Sequence, residues 1–238
     1  MGAVEQHAAG IGALADPIRR RLYLFVCSQP AAVSRDQAAD AVGVARHQAK
    51  FHLDKLEAEG LLETDYARLS GRSGPGAGRT SKLYRRARHD IAVSLPDRAY
   101  ELAGHLMADA IAESAASGAP VLETLHRLAA RRGRELGDAA LATGHPPTTA
   151  PAALDLAARI LGEHGYEPRP DGNRVVLANC PFHALAQAQR RLVCQMNEAL
   201  IRGVAGVLEP HCPRVGLEPE PDRCCVVLRP YAASSGSE

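Results

Sequence analysis

The chain has 238 residues, enough for one or two domains, and 46% of them are hydrophobic, which excludes a wholly disordered protein. It has no run of about 18 uncharged apolar residues and no N-terminal signal-peptide pattern, so we expect a cytoplasmic protein with no membrane partner. The net charge is only +1, but residues 1–90 hold 14 Lys and Arg against 10 Asp and Glu, so the excess positive charge lies in the first part of the chain.

The first sixty residues predict a helix-turn-helix. Asp16 and Pro17 are typical of an N-cap and a first helical residue, and a capping box at residues 34–37 begins a short helix that Gly43 can end. A further helix is predicted over residues 45–60. The apolar spacing assigns its core face to Ala49, Leu53 and Leu56.

The outer face of this second helix is the predicted DNA-reading surface. In a helix-turn-helix the second helix enters the major groove, where Arg and Lys pair with guanine, Gln with adenine, and an apolar side chain meets the thymine methyl. Position 45, the expected N-cap, is Ala, so the helix start lacks a side-chain cap. The alternative is an ordinary amphipathic helix. The predicted contact residues are Arg46, His47, Gln48, Lys50, Phe51 and Lys55.

A glycine-rich hairpin follows and is predicted to form a wing. Two strand-like runs, residues 64–69 and 81–85, flank a segment with four glycines between positions 71 and 78, and residues 66–88 carry seven basic residues and no acidic one. Such a loop can lie against a duplex and neutralise phosphates, although a solvated flexible loop is the alternative. The predicted wing contacts are Arg68, Arg72, Arg79 and Lys82.

Residues 9–90 resemble the ArsR-type winged-helix repressors. The similar stretches are ALADPIRRRL at 13–22, AADAVGV at 38–44 and HLDKLEAEGLL at 52–62, and the wing GRSGPGAGR at 71–79 with the following Lys82-Leu83-Tyr84 resembles the SufR-like iron–sulfur repressor subgroup. The resemblance implies a cytoplasmic, homodimeric transcription regulator. Its double-stranded DNA operator would be palindromic, because a two-fold protein binds two half-sites.

The rest of the chain predicts an α+β architecture. Helices are expected over residues 97–116, 121–141 and 152–165, then a hairpin around Asp171-Gly172, a helical region over 181–208, and strands at 216–219 and 223–229. We therefore predict a winged-helix DNA-binding domain at 1–95, a helical dimerisation region at 96–142 with the first helix as the dimer seam, and a cysteine-rich sensor domain at 152–231.

Five of the six cysteines lie between positions 180 and 225, which predicts a metal site. Thiolates suit zinc and iron–sulfur clusters, but no Cys-x2-Cys pair is present. An unbroken helix over 181–208 would separate Cys180 from Cys194 by about 20 Å. A shared site therefore requires a helix break, which we place at Gln189-Arg190.

The SufR-like resemblance implies that Cys180, Cys194 and Cys224 hold a redox-sensitive iron–sulfur cluster. The extra thiols Cys212 and Cys225 depart from the pattern of that subgroup and leave the fourth ligand open among Cys212, Cys225, His183 and a non-protein group. Adjacent strand residues point to opposite faces, so Cys224 and Cys225 are not expected to bind the same metal.

Two alternatives stay open for the cysteine-rich domain. It could bind zinc or a small organic ligand and still control a DNA-binding regulator. It could also be a thiol enzyme with Cys180 and His183 as nucleophile and base, but no acidic partner is evident, and we expect no enzymatic activity.

Overall fold

A computed structural model describes residues 3–67 and 80–231, with side chains described from residue 8 onward. The chain divides into two compact units, residues 1–93 and 94–238. Within the described ranges, no helix is both long and apolar enough to cross a membrane. Helices and strands both contribute, in agreement with the predicted α+β class.

In the described residues of the first unit, 3–67 and 80–93, there are four helices and a small antiparallel sheet. The helices are α1 (Ala3–Ala13), α2 (Pro17–Ser28), α3 (Arg35–Val42) and α4 (Arg46–Ala58), and the strands are β1 (Val33–Ser34), β2 (Leu62–Ala67) and β3 (Ser81–Arg86). The sheet order is β1-β3-β2, and the β2–β3 register runs from Leu62 opposite Arg86 to Ala67 opposite Ser81. Helices α3 and α4 form the predicted helix-turn-helix, and the predicted hairpin follows it.

Local sequence signals set the ends of these helices. The Asp16 carboxylate accepts a hydrogen bond from the backbone N–H of Arg19 at 2.8 Å and so caps α2. Ser34 and Gln37 form the predicted capping box at the start of α3, and Gly43 ends that helix with a positive φ of 70°. Helix α4 has no side-chain cap from Ala45, as predicted, but the Gln48 side chain accepts from the Ala45 N–H at 3.3 Å. This bond is one half of a capping box, and it compensates in part for the missing side-chain cap.

The second unit, described up to residue 231, packs five helices with a four-stranded antiparallel sheet. The helices are α5 (Tyr100–Ser117), α6 (Val121–Thr143), α7 (Ala150–Glu163), α8 (His183–Ala188) and α9 (Arg190–Gly206), and the strands are β4 (Pro168–Asp171), β5 (Arg174–Leu177), β6 (Arg214–Leu217) and β7 (Val226–Arg229). The sheet order is β4-β5-β7-β6. The predicted hairpin at Asp171-Gly172 joins β4 to β5.

Helices α6 and α9 pack with their backbones in direct contact. A Cβ added to Gly133 of α6 would lie 1.9 Å from the Leu200 carbonyl oxygen, and one added to Gly203 of α9 would lie 2.1 Å from the Ala130 carbonyl oxygen. Only glycine fits at both positions. Leu128 of α6, Leu106 of α5 and sheet residues such as Val226 share one apolar core, so the helices of the predicted 96–142 region lie within the same unit as the cysteines.

Candidate functional site

The outer face of α4 is the candidate DNA interface. Arg46, His47, Gln48, Lys50 and Lys55 are exposed, and Phe51 has 65% of its surface in solvent. The predicted core residues Ala49, Leu53 and Leu56 are fully buried. A large apolar side chain this exposed on a helix is available for contact with a base edge. His52, which the sequence analysis did not single out, is buried on the inner face next to Arg19.

Acidic neighbours hold the basic side chains of this face in place. Each pair joins an exposed cation to an exposed or partly exposed carboxylate, and such pairs contribute little to stability, so a phosphate can compete for the cation. The pairs are Arg46 with Asp36 at 2.6 Å, Lys50 with Asp54 at 2.8 Å, and Lys55 with Glu59.

Lys82 has a different environment from the other predicted DNA contacts. Its ammonium contacts Asp54 at 3.1 Å and Glu57, both on α4, and is only partly exposed. Arg85 likewise pairs with Glu63 at 3.1 Å. The counter-charges of Lys82 and Arg85 therefore come from α4 and β2, outside the run of residues 66–88. Lys82 anchors the hairpin to α4. Arg68, Arg72 and Arg79 lie outside the described residues.

Asp54 is the centre of this anchor. Burial opposes its ionisation, but hydrogen bonds from Lys50, Tyr84 and Lys82 outweigh burial and lower the pKa of Asp54 to about 2. Burial and the hydrogen bond to Asp54, at 2.7 Å, raise the pKa of the Tyr84 hydroxyl. The hairpin and the reading helix are thus joined by one charged network.

We predict that the Asp54 carboxyl titrates near pH 2 and that Lys82→Met raises its pKa. The folded pKa lies below the ordinary 3.8, so the ionised network stabilises the fold fully above about pH 4 and loses its contribution, about 1 kcal/mol after screening, as the pH falls toward 2. Carboxyl carbon NMR shifts followed against pH measure this directly. Lys55→Met is the matched control, since Lys55 pairs with Glu59. An unchanged Asp54 pKa in Lys82→Met would contradict the assignment.

The second candidate site is a cavity of about 250 Å³ in the second unit, here called the thiol cavity. Four cysteines line it, together with His183 and residues from the start of α9 and the loop before β7. The lining thiols are Cys180, Cys194, Cys224 and Cys225. Among the predicted ligands, the structure therefore brings together Cys180, Cys194, Cys224, Cys225 and His183.

A break in the helical region makes this convergence possible. Helix α8 ends at Ala188 and α9 begins at Arg190, with Gln189 between them in a non-helical conformation of φ −138° and ψ 64°. The break lies where the separation of Cys180 from Cys194 requires it. Cys194 thereby enters the cavity wall from the first turns of α9 while Cys180 approaches from the chain before α8.

The four thiols are arranged as two contacting pairs. The hydrogen bond from Cys224 lowers the pKa of Cys180, with help from the Phe182 N–H and the charge of Arg98, while the pKa of Cys224 is raised. Burial, followed by contact with Cys225, raises the pKa of Cys194 to about 12. The Sγ atoms of Cys194 and Cys225 are 2.9 Å apart. Cys180 is therefore the thiol with the greatest thiolate character of these three.

Two of the predictions about the ligands are corrected. Cys212 lies outside the cavity, with its Sγ 3.7 Å from the Gly206 carbonyl oxygen, because α9 carries the chain about 18 Å beyond Cys194 before the Cys212 loop begins. Cys224 and Cys225 precede β7 and lie outside the strand, so the alternation of strand side chains does not apply, and both line the cavity.

Two buried polar side chains form a hydrogen-bonded chain that ends at one cysteine of the thiol cavity. The Tyr166 hydroxyl donates to Asn197 Oδ1, and the Asn197 side-chain Nδ2 donates to Cys224 Sγ at 3.3 Å. Neither residue could be identified from the sequence, because a single polar residue among apolar ones does not show which residue it will contact. Their only signal is that Asn197 interrupts an apolar face of α9.

A second polar cluster ties Cys180 to the segment before α5. The buried Asn179 amide donates to the Asp97 and Gly165 carbonyl oxygens at 3.0 and 2.6 Å. Arg98 donates to the Asn179 side chain and to the Cys180 carbonyl oxygen, the latter at 3.2 Å. The N–H of Ala99 donates to Pro181 at 3.0 Å. Residues 97–99, here called the entry segment, are thus bound to residues 179–181.

The donor set of the thiol cavity fits a thiolate-ligated metal centre in kind and number. The four cysteine sulfurs that line one cavity match the ligands of zinc and of iron–sulfur clusters. Their present positions are those of paired thiols: over residues 3–67 and 80–231, no three His, Cys, Asp or Glu side chains already form a metal-binding group. Loading a metal therefore requires the two thiol pairs to separate.

Comparison with known proteins identifies one part of the chain. Residues 14–65 match the family of helix-turn-helix domains. The first unit carries a helix-turn-helix domain. The match covers α2, α3, α4 and the start of β2 and supports a DNA-binding transcriptional regulator. The ArsR-type and SufR-like resemblances stay predictions. No curated protein sequence and no solved structure is significantly similar to the chain.

Proposed function

We propose that the protein is a homodimeric transcriptional repressor that senses redox or iron–sulfur status through the thiol cavity. The observation that carries the proposal is the convergence of four thiols on one cavity in a chain that also contains a helix-turn-helix domain. The helix-turn-helix unit would bind the operator DNA. The thiol cavity in the second unit would receive the redox or iron–sulfur signal that changes operator affinity.

The exposed face of α4 reads the operator in this proposal. Gln48 and Arg46 supply hydrogen bonds to base edges or phosphates, and Phe51 supplies the apolar contact. A palindromic operator presents two half-sites, which two copies of this face would occupy. The proposed dimer seam on α5 has a supporting feature, since Ile111 of α5 and the nearby Val121 and Leu122 of α6 are exposed apolar side chains.

Cys180, Cys194 and Cys224 would hold an iron–sulfur cluster, with Cys225 as the fourth thiol in reach. When bound, such a cluster supplies a redox-sensitive centre whose oxidation or loss frees its thiolates. The protein's own groups hold the ligands in place: Asn197 positions Cys224 by its hydrogen bond, and Arg98 positions the Cys180 backbone.

The entry segment provides the route from the cavity to the DNA-binding unit. It begins four residues after the last residue of the first unit, Val93, and is bound to residues 179–181. A change at Cys180 that moves residues 179–181 would therefore move the point at which the second unit holds the connecting chain. Operator affinity would follow the state of the thiols.

The test combines metal analysis with DNA binding. We expect anaerobically purified protein to be brown and to contain iron and acid-labile sulfide, and to select a palindromic duplex from a random library with an affinity that changes on cluster loss. Phe51→Ala should lower affinity for that duplex about tenfold, the effect of one lost base contact, without changing the iron content. Leu24→Ala, an exposed apolar residue of α2, is the matched control.

Each result decides between the candidate functions. Colourless protein with stoichiometric zinc would replace the cluster by zinc, and protein without metal would favour an organic ligand. Failure to select any sequence, or equal effects of Phe51→Ala and Leu24→Ala, would overturn the DNA-reading assignment.

A further inference from the structure

One pair in the thiol cavity, Cys194 and Cys225, is arranged for chemistry that needs no metal. The two sulfur atoms lie 2.9 Å apart although the residues are separated by 31 positions in the chain. Cys194 is on α9 and Cys225 precedes β7, so the contact joins two elements of the folded unit. Two thiols in contact across a fold can form a bond with little rearrangement of the backbone.

The surroundings of the pair suit an oxidation reaction. Cys194 is buried, whereas Cys225 is partly exposed and opens onto the thiol cavity, where a small oxidant can reach it. The Cys225 carbonyl accepts a hydrogen bond from the Glu218 N–H at 2.7 Å, which fixes the backbone position of this cysteine. One accessible sulfur beside one sheltered sulfur is the arrangement of an attacking and a resolving thiol.

We propose that Cys194 and Cys225 form a redox-active dithiol that hydroperoxides oxidise to a disulfide in the metal-free protein. The Cys225 sulfur attacks one peroxide oxygen, so an S–O bond forms, the O–O bond breaks, and the second oxygen leaves with the Cys225 thiol proton as water or alcohol. Cys194 sulfur then attacks the Cys225 sulfenic acid. The S–S bond forms, the S–O bond breaks, and the hydroxyl leaves with the Cys194 proton as water. The two sulfurs lose two electrons in total, and the peroxide gains them.

If the proposed function holds, the state of this thiol pair also controls whether the protein can bind its cluster. Cys194 is then a cluster ligand as well as a member of the dithiol, and one sulfur cannot serve both at once. The disulfide and the loaded cluster therefore exclude each other, and an oxidised protein cannot reload until the disulfide is reduced. This consequence rests on the proposed function, whereas the disulfide itself does not.

The experiment treats metal-free, full-length protein with hydrogen peroxide, blocks the remaining thiols with an alkylating reagent, and maps the products by peptide mass spectrometry. We expect a linked peptide joining Cys194 to Cys225 with the loss of two hydrogen atoms, reversed by a thiol reductant. Cys225→Ser should lose that peptide, and Cys194→Ser should lose it too and leave Cys225 as a sulfenic or overoxidised product. Cys212→Ser, which removes a thiol outside the cavity, should keep it.

The outcomes separate this inference from the proposed function. Linkage of Cys180 to Cys224 alone, or formation only of sulfinic acid, would overturn the inference even if the protein binds a cluster and DNA. A Cys194–Cys225 disulfide in a protein that never loads iron would sustain the inference and overturn the cluster. Cys180→Ser serves as a folded reference that lacks one proposed ligand, and it should still form the disulfide.

Discussion

Gly133→Ala should destabilise the second unit by about 3 kcal/mol or more. The added methyl carbon would lie 1.9 Å from the Leu200 carbonyl oxygen and 3.0 Å from Gly203 Cα, and both are backbone atoms that cannot rotate away. Helices α6 and α9 would have to move apart, which would loosen the core that they share with the sheet. Since α9 also carries Cys194, we expect the thiol pair to separate as well.

Thermal unfolding of the full chain measures the loss of stability. Hydrogen exchange of the α6 and α9 amides shows whether these two helices are the part that loosens. Gly104→Ala is the matched control, because Gly104 lies within α5 and nothing approaches the position of its Cβ within 4 Å. That substitution should be neutral or stabilising by about 0.5–1 kcal/mol, because alanine favours the helix. Similar effects of the two substitutions would show that the α6–α9 contact tolerates a side chain.

Local signals explain why much of the fold could be predicted from the sequence. Caps and breakers act over a few residues, so Asp16 and Gly43 predicted the helix ends that the structure has. The break near Gln189 was also predictable, because a shared thiol site cannot span an unbroken helix. Sequence spacing alone therefore carries information when the geometry of a site restricts it.

Elements that depend on distant partners were not predictable in this way. Strand β1 has two residues and exists because Val33 and Ser34 pair with β3. Gly133 and Gly203 looked like ordinary helix positions, and only the crossing of α6 with α9 makes them necessary. The placement of Cys212 likewise depended on how far α9 extends. Each of these features is set by tertiary packing that no local pattern records.

The ion pairs of the hairpin were also not predictable from a local pattern. The run of residues 66–88 holds seven basic residues and no acidic one, yet Lys82 and Arg85 are paired with carboxylates of α4 and β2. A count along the chain cannot detect partners that the hairpin brings together. The exposed face of α4 was predicted correctly because its periodicity is a property of one helix.

Asn179→Ala should release the entry segment and, if the proposed function holds, disconnect the thiol cavity from DNA binding. Asn179 is buried and contacts Asp97, Arg98 and Gly165. Its removal leaves the buried Gly165 carbonyl oxygen without its Asn179 donor, while the Asp97 carbonyl oxygen keeps only the bond from Arg98 at 3.3 Å. An unsatisfied buried group costs about 1–3 kcal/mol. We expect the amide of Ala99, which donates to Pro181, to exchange at least about tenfold faster with solvent deuterium.

The functional part of this prediction has its own readout and control. Iron content should be unchanged in Asn179→Ala, because the cavity sulfurs remain, while operator affinity should become the same with and without the cluster. Tyr166→Phe is the matched control, since it removes the hydrogen bond to Asn197 behind Cys224 and leaves the entry segment bound. If wild-type affinity responds to cluster loss and Asn179→Ala retains that response despite faster exchange at Ala99, the signal does not pass through residues 97–99. If wild-type affinity never responds, the exchange result still tests the anchor, and sensing through the cavity is excluded.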